Sequence, residues 1–123
     1  MARNKRASRK LTVHSRLRVL GGDEIAVGPG RIELLELILE TGSLTAAAER
    51  MGISYMRAWE LVKSTNRAFR EPLVEAVRGG KSGGGAELTR EGRKVIALYR
   101  RMERQSQKAV QPSWDILRKL LRT

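Results

Sequence analysis

The glycine-rich segment RGGKSGGGAELT, residues 78–89, is the feature that most restricts the fold of this chain. It could be a phosphate-binding loop, but that pattern requires a glycine where the chain has Glu75, and a helix directly after the Lys–Ser pair. It could be a flexible linker, but the residues after it form no core of their own. A third interpretation, the tip of a hairpin that touches an anionic partner, is favoured by the neighbouring segments.

The segments before the glycines predict a strand pair and then three helices. Residues 11–20 alternate between apolar and polar side chains, and residues 24–27 can return as a second strand after a glycine turn. Helical periodicity then predicts helices over 31–41, 44–51 and 54–69, each with a glycine or serine at an end. The second and third predicted helices enclose a tight turn, which is the pattern of a helix-turn-helix corner.

The segments around and after the glycines complete a winged helix-turn-helix order. Strands are predicted over 73–77 and 86–88, and a long helix begins at Thr89. Pro112 is expected to interrupt that helix. We therefore predict a mainly α fold with a small β component: a winged helix-turn-helix domain with an N-terminal strand pair and a long C-terminal dimerisation helix. The predicted boundaries are a disordered basic tail (1–10), the domain (11–111) and an amphipathic dimer-contact helix (112–123).

The charge of the chain points to an anionic partner. Lysine and arginine total 25 against 13 acidic residues, a formal net charge of +12. Such a surface suits nucleic acid, an anionic membrane or an acidic protein. No apolar run is long enough to span a membrane and no signal-peptide pattern follows the basic start, so we expect a cytoplasmic protein with no membrane partner. With no cysteine and one histidine, we expect no metal site, no cofactor and no enzyme activity.

Three motifs carry a family resemblance. They are GISYMRAW at the entry to the third predicted helix, the wing and next helix start LVEAVRGGKSGGGAELTREGRKVIALY, and QKA at 107–109. Together they resemble the N-terminal DNA-binding domain of the ModE-type molybdate-responsive transcriptional regulators, over roughly residues 11–110. The resemblance implies a homodimer that regulates genes by binding an imperfect palindrome in double-stranded DNA. Family members continue into C-terminal molybdate-binding domains, so no molybdate site is expected in this chain, whether it stands alone or is a piece of a longer protein.

The candidate DNA contacts lie on the second and third predicted helices and on the wing. Arg57 can fork onto a guanine and Met56 can meet a thymine methyl group, while the wing cations can contact phosphates. The alternative for the group is an ordinary solvated surface, and Trp59 is interpreted as a wedge between the third helix and the wing or the first strand. The full set is Ser43, Thr45, Ser54, Tyr55, Met56, Arg57, Lys63, Asn66, Arg67, Arg78, Lys81 and Ser82.

The candidate dimer contacts are apolar residues on the C-terminal segments. An apolar stripe so far along the chain has little of its own domain to cover, so a second copy across a two-fold axis is the simplest partner. The alternative is a helix folded back on its own core. The set is Val95, Leu98, Tyr99, Met102, Trp114, Leu117, Leu120 and Leu121.

Two other functions stay open at this point. One is a sequence-tolerant architectural DNA-binding protein, with the same fold but no operator. The other is a basic module that binds an acidic protein. The N-terminal tail is either an arm in the minor groove or an untethered segment.

Overall fold

The computed structural model of the chain describes residues 10–77 and 85–122. It divides into two compact units: residues 16–100 form one, and the other combines the stretch before Arg16 with the stretch from Arg101 onward. The described elements are β1 (Val19–Gly21), β2 (Glu24–Val27), α1 (Pro29–Thr41), α2 (Leu44–Met51), α3 (Tyr55–Ala68), β3 (Val74–Ala76), β4 (Ala86–Leu88), α4 (Arg90–Leu117) and a 3-10 turn (Arg118–Leu120). This order confirms the predicted mainly helical fold with a small β component.

The helix boundaries follow from local capping. The hydroxyl of Ser43 accepts from the Ala46 N–H at 3.0 Å and begins α2, and the hydroxyl of Ser54 accepts from the Arg57 N–H at 3.0 Å and begins α3. Gly42 and Gly52 end α1 and α2 with φ angles of 68° and 70°, as left-handed C-caps do. These four residues fix the corner between α2 and α3.

Two short antiparallel hairpins complete the architecture. β1 pairs with β2, and β3 pairs with β4 in the register Val74 to Leu88 and Ala76 to Ala86. The second hairpin is tied to the turn before α2, because the Ala86 N–H donates to the Gly42 carbonyl at 3.3 Å and Ser43 bridges to Gly85. The predicted wing is therefore held against the helix-turn-helix corner at its base.

The predicted strand over 11–20 is shorter in the structure, since only Val19–Gly21 belongs to a described ladder. Residues 11–20 still alternate between half-buried and exposed side chains. Side chains of α4 satisfy part of this backbone in place of a strand: Tyr99 donates its hydroxyl proton to the Leu17 carbonyl at 2.7 Å, and Gln107 donates to the Val13 carbonyl at 3.2 Å. Alternation thus predicted the alternating burial of residues 11–20 correctly, but the strand itself is confined to Val19–Gly21.

The core of the larger unit joins α1, α2, α3, the wing strands and the first part of α4. Small residues at the helix contacts, Ala47, Ala48 and Ala58, let the backbones of α2 and α3 approach closely. The only buried polar residue among the described ones, Thr65, accepts a hydrogen bond from Arg31. The larger apolar members of this core include Ile32, Leu34, Leu35, Ile38, Leu44, Val62, Leu73, Leu88, Ile96 and Tyr99.

The start of α4 is built around Thr89 and Gly92. The Thr89 N–H donates to the Leu73 carbonyl at 2.9 Å, and its hydroxyl donates to the Pro72 carbonyl and accepts from the Gly92 N–H. Gly92 is buried, and a Cβ built there would meet the Leu73 carbonyl oxygen and lie 2.9 Å from Leu88 Cδ1. A glycine at this position therefore lets the first turn of α4 rest directly on the backbone that precedes β3.

The prediction that Pro112 interrupts the last helix is wrong, because α4 runs without a break from Arg90 to Leu117. A proline inside a helix removes one N–H donor, which leaves the carbonyl of Lys108 without its helical partner. Both residues are exposed, so water can bond that carbonyl. The predicted boundary at 111/112 consequently does not coincide with a helix end.

Candidate nucleic-acid interface

The first turn of α3 presents three exposed side chains at the helix-turn-helix corner. Tyr55 is 46% exposed and Met56 is 62% exposed, and Arg57 is also exposed. The next residue, Ala58, is fully buried, so the turn is held firmly while its outer side chains face solvent. The structure thus brings these three predicted contacts together on one surface, although their contact with DNA stays a prediction.

The other predicted contacts fall into different environments. Ser43 and Ser54 act as helix caps, Thr45 is half-buried at the start of α2, and Lys63 and Arg67 are exposed on α3. The predicted wing contacts Arg78, Lys81 and Ser82 lie outside the described residues. At the base of that wing, Val77 donates to the Gly85 carbonyl at 3.0 Å, and a Cβ on Gly85 would lie 2.6 Å from the Val77 carbonyl oxygen. A glycine at position 85 is therefore required by close packing.

Asn66 has a structural role that the sequence did not predict. Its side-chain N–H donates to the Val74 carbonyl at 2.9 Å, and its side-chain oxygen accepts from the N–H groups of Leu73 and Val74 at 2.8 and 3.2 Å. Both ends of the amide are thus engaged by the backbone of β3 and the residue before it. An asparagine near a helix end gives no sign in the sequence of which strand it will bond.

Arg31 is a second residue that the sequence analysis missed. From the first turn of α1 it donates through Nη1 to the hydroxyls of Ser64 and Thr65 and to the Leu61 carbonyl, which joins α1 to α3. Burial lowers the pKa of Arg31, the nearby positive charge of Arg57 lowers it further, and Glu24 raises it in part. In the sequence, Arg31 is an arginine directly before the apolar stripe of α1. Nothing in that pattern indicates which residues its side chain will bond.

Trp59 lies where the sequence interpretation placed it. It is half-buried against the core, and it lines a cavity of about 160 Å³ together with Val77 and Gly85 at the base of the wing. The ammonium of Lys63 lies 5.8 Å from the centre of its ring, within the range of a cation–π contact. The indole therefore lies between α3 and the wing strands.

Replacing Trp59 with alanine is expected to lower the free energy of unfolding by about 2–4 kcal/mol, somewhat below the cost of removing a fully buried tryptophan. Urea unfolding measures the change, and Trp59→Phe, which keeps most of the packing, is the matched control. Loss of DNA binding with an unchanged melting temperature would show instead that the indole contacts DNA directly.

The predicted dimer contacts separate into two groups. Tyr99 is 2% exposed in the core of its own protomer and Val95 is half-buried against the same core, so Tyr99 is no longer counted as a dimer contact. The spacing that suggested a dimer face for Tyr99 is equally that of a core residue. Trp114 is half-buried, and Leu98, Met102, Leu117, Leu120 and Leu121 are exposed. Ile116 is also exposed and was not singled out from the sequence.

Within residues 10–77 and 85–122, no cluster of histidine, aspartate or glutamate side chains could hold a metal ion. None of the helices in the same ranges is both long enough and apolar enough to cross a bilayer.

Comparison with known families finds one match that covers just over half of the chain. Residues 30–93 match the model described as a bacterial regulatory helix-turn-helix protein of the lysR family. This range runs from the start of α1 through the wing to the first turn of α4. It thus includes the candidate interface.

Curated relatives match over a similar part of the chain. The molybdenum transport protein ModE of Azotobacter vinelandii is 42% identical over 85 residues, covering 69% of this chain and 32% of that protein. The transcriptional regulator ModE of Yersinia pestis is 47% identical and the DNA-binding transcriptional dual regulator ModE of Escherichia coli K12 is 44% identical, each covering 66% of this chain and 31% of the relative. The chain thus spans about a third of the length of these relatives.

Solved structures support the fold alone. The crystal structure of a CbnR DBD–DNA complex superposes with a TM-score of 0.56 at 19% identity and covers 72% of this chain and 95% of that chain. VV2_1132, described as a LysR family transcriptional regulator, gives a TM-score of 0.53 at 19% identity and covers 76% of this chain and 30% of that chain.

Proposed function

The chain belongs to the lysR family of bacterial regulatory helix-turn-helix proteins, and from this we propose that it regulates transcription by binding a palindromic operator in double-stranded DNA as a homodimer. The observation that carries the proposal is the exposed first turn of α3, which lies at a helix-turn-helix corner inside the segment that matches the family. The family is described as one of regulatory proteins, and the Yersinia pestis and Escherichia coli relatives are named as transcriptional regulators, so the proposal includes no enzyme activity.

Specificity in this proposal comes from the start of α3. Recognition helices contact base edges from their N-terminal residues, and Tyr55 and Met56 project from that turn into solvent. The thioether and methyl of Met56 suit the methyl group of thymine, and the Tyr55 hydroxyl can bond a base edge or a phosphate. Identity of 42–47% to three ModE proteins favours a ModE-like operator for this chain.

Affinity comes mainly from the cationic surface. The chain carries a formal net charge of +12. When its lysines and arginines approach the phosphates, counterions are released from the DNA, so binding will weaken steeply as the salt concentration rises. The predicted wing contacts Arg78 and Lys81 would add to this sequence-independent term. No molybdate site is assigned to this chain.

Dimerisation would supply the symmetry of the operator. Leu117, Leu120 and Leu121 are exposed near the end of α4 and just beyond it, which is the pattern of an apolar face that a second copy covers. Two copies related by a two-fold axis present two copies of α3, and a palindromic pair of half-sites matches that arrangement.

Selection from a randomised pool of DNA duplexes at near-physiological salt tests the proposal. Recovery of a two-fold symmetric motif is expected, and its half-site spacing gives the distance between the two α3 helices. Tight binding at low salt without enrichment of any motif would point instead to a sequence-tolerant architectural protein. Competition by heparin but not by duplex DNA would favour a basic module that binds an acidic protein.

A further inference from the structure

A cationic cavity of about 230 Å³ lies beside the first turn of α3. It is lined by three arginines from three different elements: Arg18 just before β1, Arg31 at the start of α1 and Arg57 in α3. Ile25, Met51 and Leu61 form its apolar walls, and none of its lining residues is an aspartate or a glutamate. Three positive charges thus face one space without a carboxylate in its lining.

The three guanidinium groups keep donors available. Within residues 10–77 and 85–122, the side chains of Arg18 and Arg57 have no hydrogen-bond or ion-pair partner. Arg31 uses Nη1 for its bonds to α3, and its Nε and Nη2 have no described partner. The pKa of Arg31 is lowered first by burial and then by repulsion from Arg57, while Glu24, which does not line the cavity, raises it in part. An anion between these groups removes that repulsion and receives charge-assisted hydrogen bonds.

The N-terminus of α1 forms another wall of the cavity. Gly28 to Gly30 line the cavity, Gly28 gives α1 no side-chain cap, and the first turn contains no acidic residue. The N–H groups of Gly30 and Arg31 have no acceptor within the helix, since the first intrahelical bond runs from Ile32 to the Gly28 carbonyl. A Cβ built on Gly30 would meet no atom within 4 Å, so there is open space beside this residue. The helix dipole adds a favourable field for an anion.

We propose that this cavity binds one backbone phosphate of the DNA, held by Arg18 and Arg57 with the N-terminus of α1 behind it. The inference rests on the proposed function and assigns Arg57 a different role within it. Arg57 shares the first turn of α3 with Tyr55 and Met56, so a phosphate next to the bases that those side chains read would come within reach. Arg57 thereby fixes the position of α3 in the groove instead of reading a guanine.

Binding measurements with Arg18→Ala and Arg57→Ala test the assignment. Each substitution is expected to weaken binding roughly tenfold, equally for the selected operator and for an unrelated duplex, because a phosphate carries no sequence information. Each should also flatten the slope of log K against log salt by about one unit. Arg16→Ala is the matched control, since Arg16 is an exposed arginine in the same segment and does not line the cavity.

Three outcomes would overturn the assignment. A change of sequence preference in Arg57→Ala alone would make Arg57 a base contact. Losses no larger than that of Arg16→Ala would remove the phosphate contact altogether. Inorganic phosphate that raises the melting temperature of the wild type but not of Arg18→Ala, with DNA affinity unchanged between them, would identify a site for a free anion.

The wild type separates this test from that of the proposed function. If the wild type selects no operator and does not bind duplex DNA, the proposed function fails before any variant is examined. If it selects an operator and the arginine variants bind as the control does, only the phosphate site fails. Thermal melting of each variant confirms that the folded protein is being compared.

Discussion

Replacing Gly92 with alanine is expected to destabilise the domain by about 3 kcal/mol or more. The added Cβ would overlap the Leu73 carbonyl oxygen, and it would lie 3.2 Å from the Leu73 carbonyl carbon and 2.9 Å from Leu88 Cδ1. The first two atoms are backbone, so no side-chain rotation relieves the clash. The first turn of α4 would have to move away from β3, and the hydrogen bonds of Thr89 to Pro72 and Leu73 would lengthen.

The sign of this effect distinguishes packing from helix propensity. Alanine normally stabilises a helix relative to glycine by roughly 0.5–1 kcal/mol. Gly30→Ala, in the first turn of α1, is therefore the control: a Cβ there would meet nothing within 4 Å, so stability should stay equal or rise slightly. Urea unfolding of both variants measures the difference. Equal stability of Gly92→Ala and the wild type would show that the start of α4 is not packed as described.

The double substitution Leu117→Glu with Leu120→Glu is expected to give a monomer and to weaken binding to a two-half-site operator by about 100-fold or more. Leu117 is 53% exposed and Leu120 is 78% exposed in the protomer, so charges there should leave its core intact. Across a two-fold axis, however, they would place carboxylates in an apolar interface, where an unpaired charge is strongly unfavourable. Affinity for a duplex with a single half-site should change far less, because that complex needs one protomer only.

Sedimentation at micromolar concentration and titration of both duplexes measure these effects. Lys119→Glu is the control, since it adds negative charge between the two leucines without removing apolar surface. It should remain a dimer and should weaken binding to both duplexes by a similar small factor. A wild type that sediments as a monomer, or a double variant that remains a dimer, would contradict a dimer formed through this face.

Local signals predicted the helix-turn-helix corner because its boundaries are set within a few residues of chain. Ser43 and Ser54 act through their hydroxyls, and Gly42 and Gly52 through their backbone N–H groups, in hydrogen bonds that span three or four positions. Such short-range bonds can be predicted from the sequence. Pro112 is the exception among local rules, since its exposed position lets water replace the lost helical bond. Local signals also predicted the candidate site. The Ser54 cap begins α3 and Ala58 is buried, so the first turn at Tyr55 is exposed.

Features that depend on distant partners could not be predicted in the same way. The alternation over 11–20 gave no sign that Tyr99 would bond the Leu17 carbonyl, and Tyr99 itself showed only the spacing of an apolar helix face. Asn66 and Arg31 each bond residues that are distant in sequence, so their structural roles became visible only in three dimensions. Gly92 lies in one of the motifs that carry the family resemblance. Glycine is needed there because the Leu73 backbone approaches closely, and this approach is visible only in the structure.

The three hydrogen bonds of Asn66 tie α3 to β3, and the bond from Ala86 to Gly42 ties β4 to the turn before α2. In the proposed complex, the angle between α3 and the base of the wing would then be set before DNA is bound. Little backbone entropy would be lost on docking, so complex formation in this region is expected to be closer to lock-and-key than to induced fit. In that proposal, DNA that cannot bend to match this preset angle would be disfavoured even where its bases are correct, so the stiffness of the duplex would contribute to recognition.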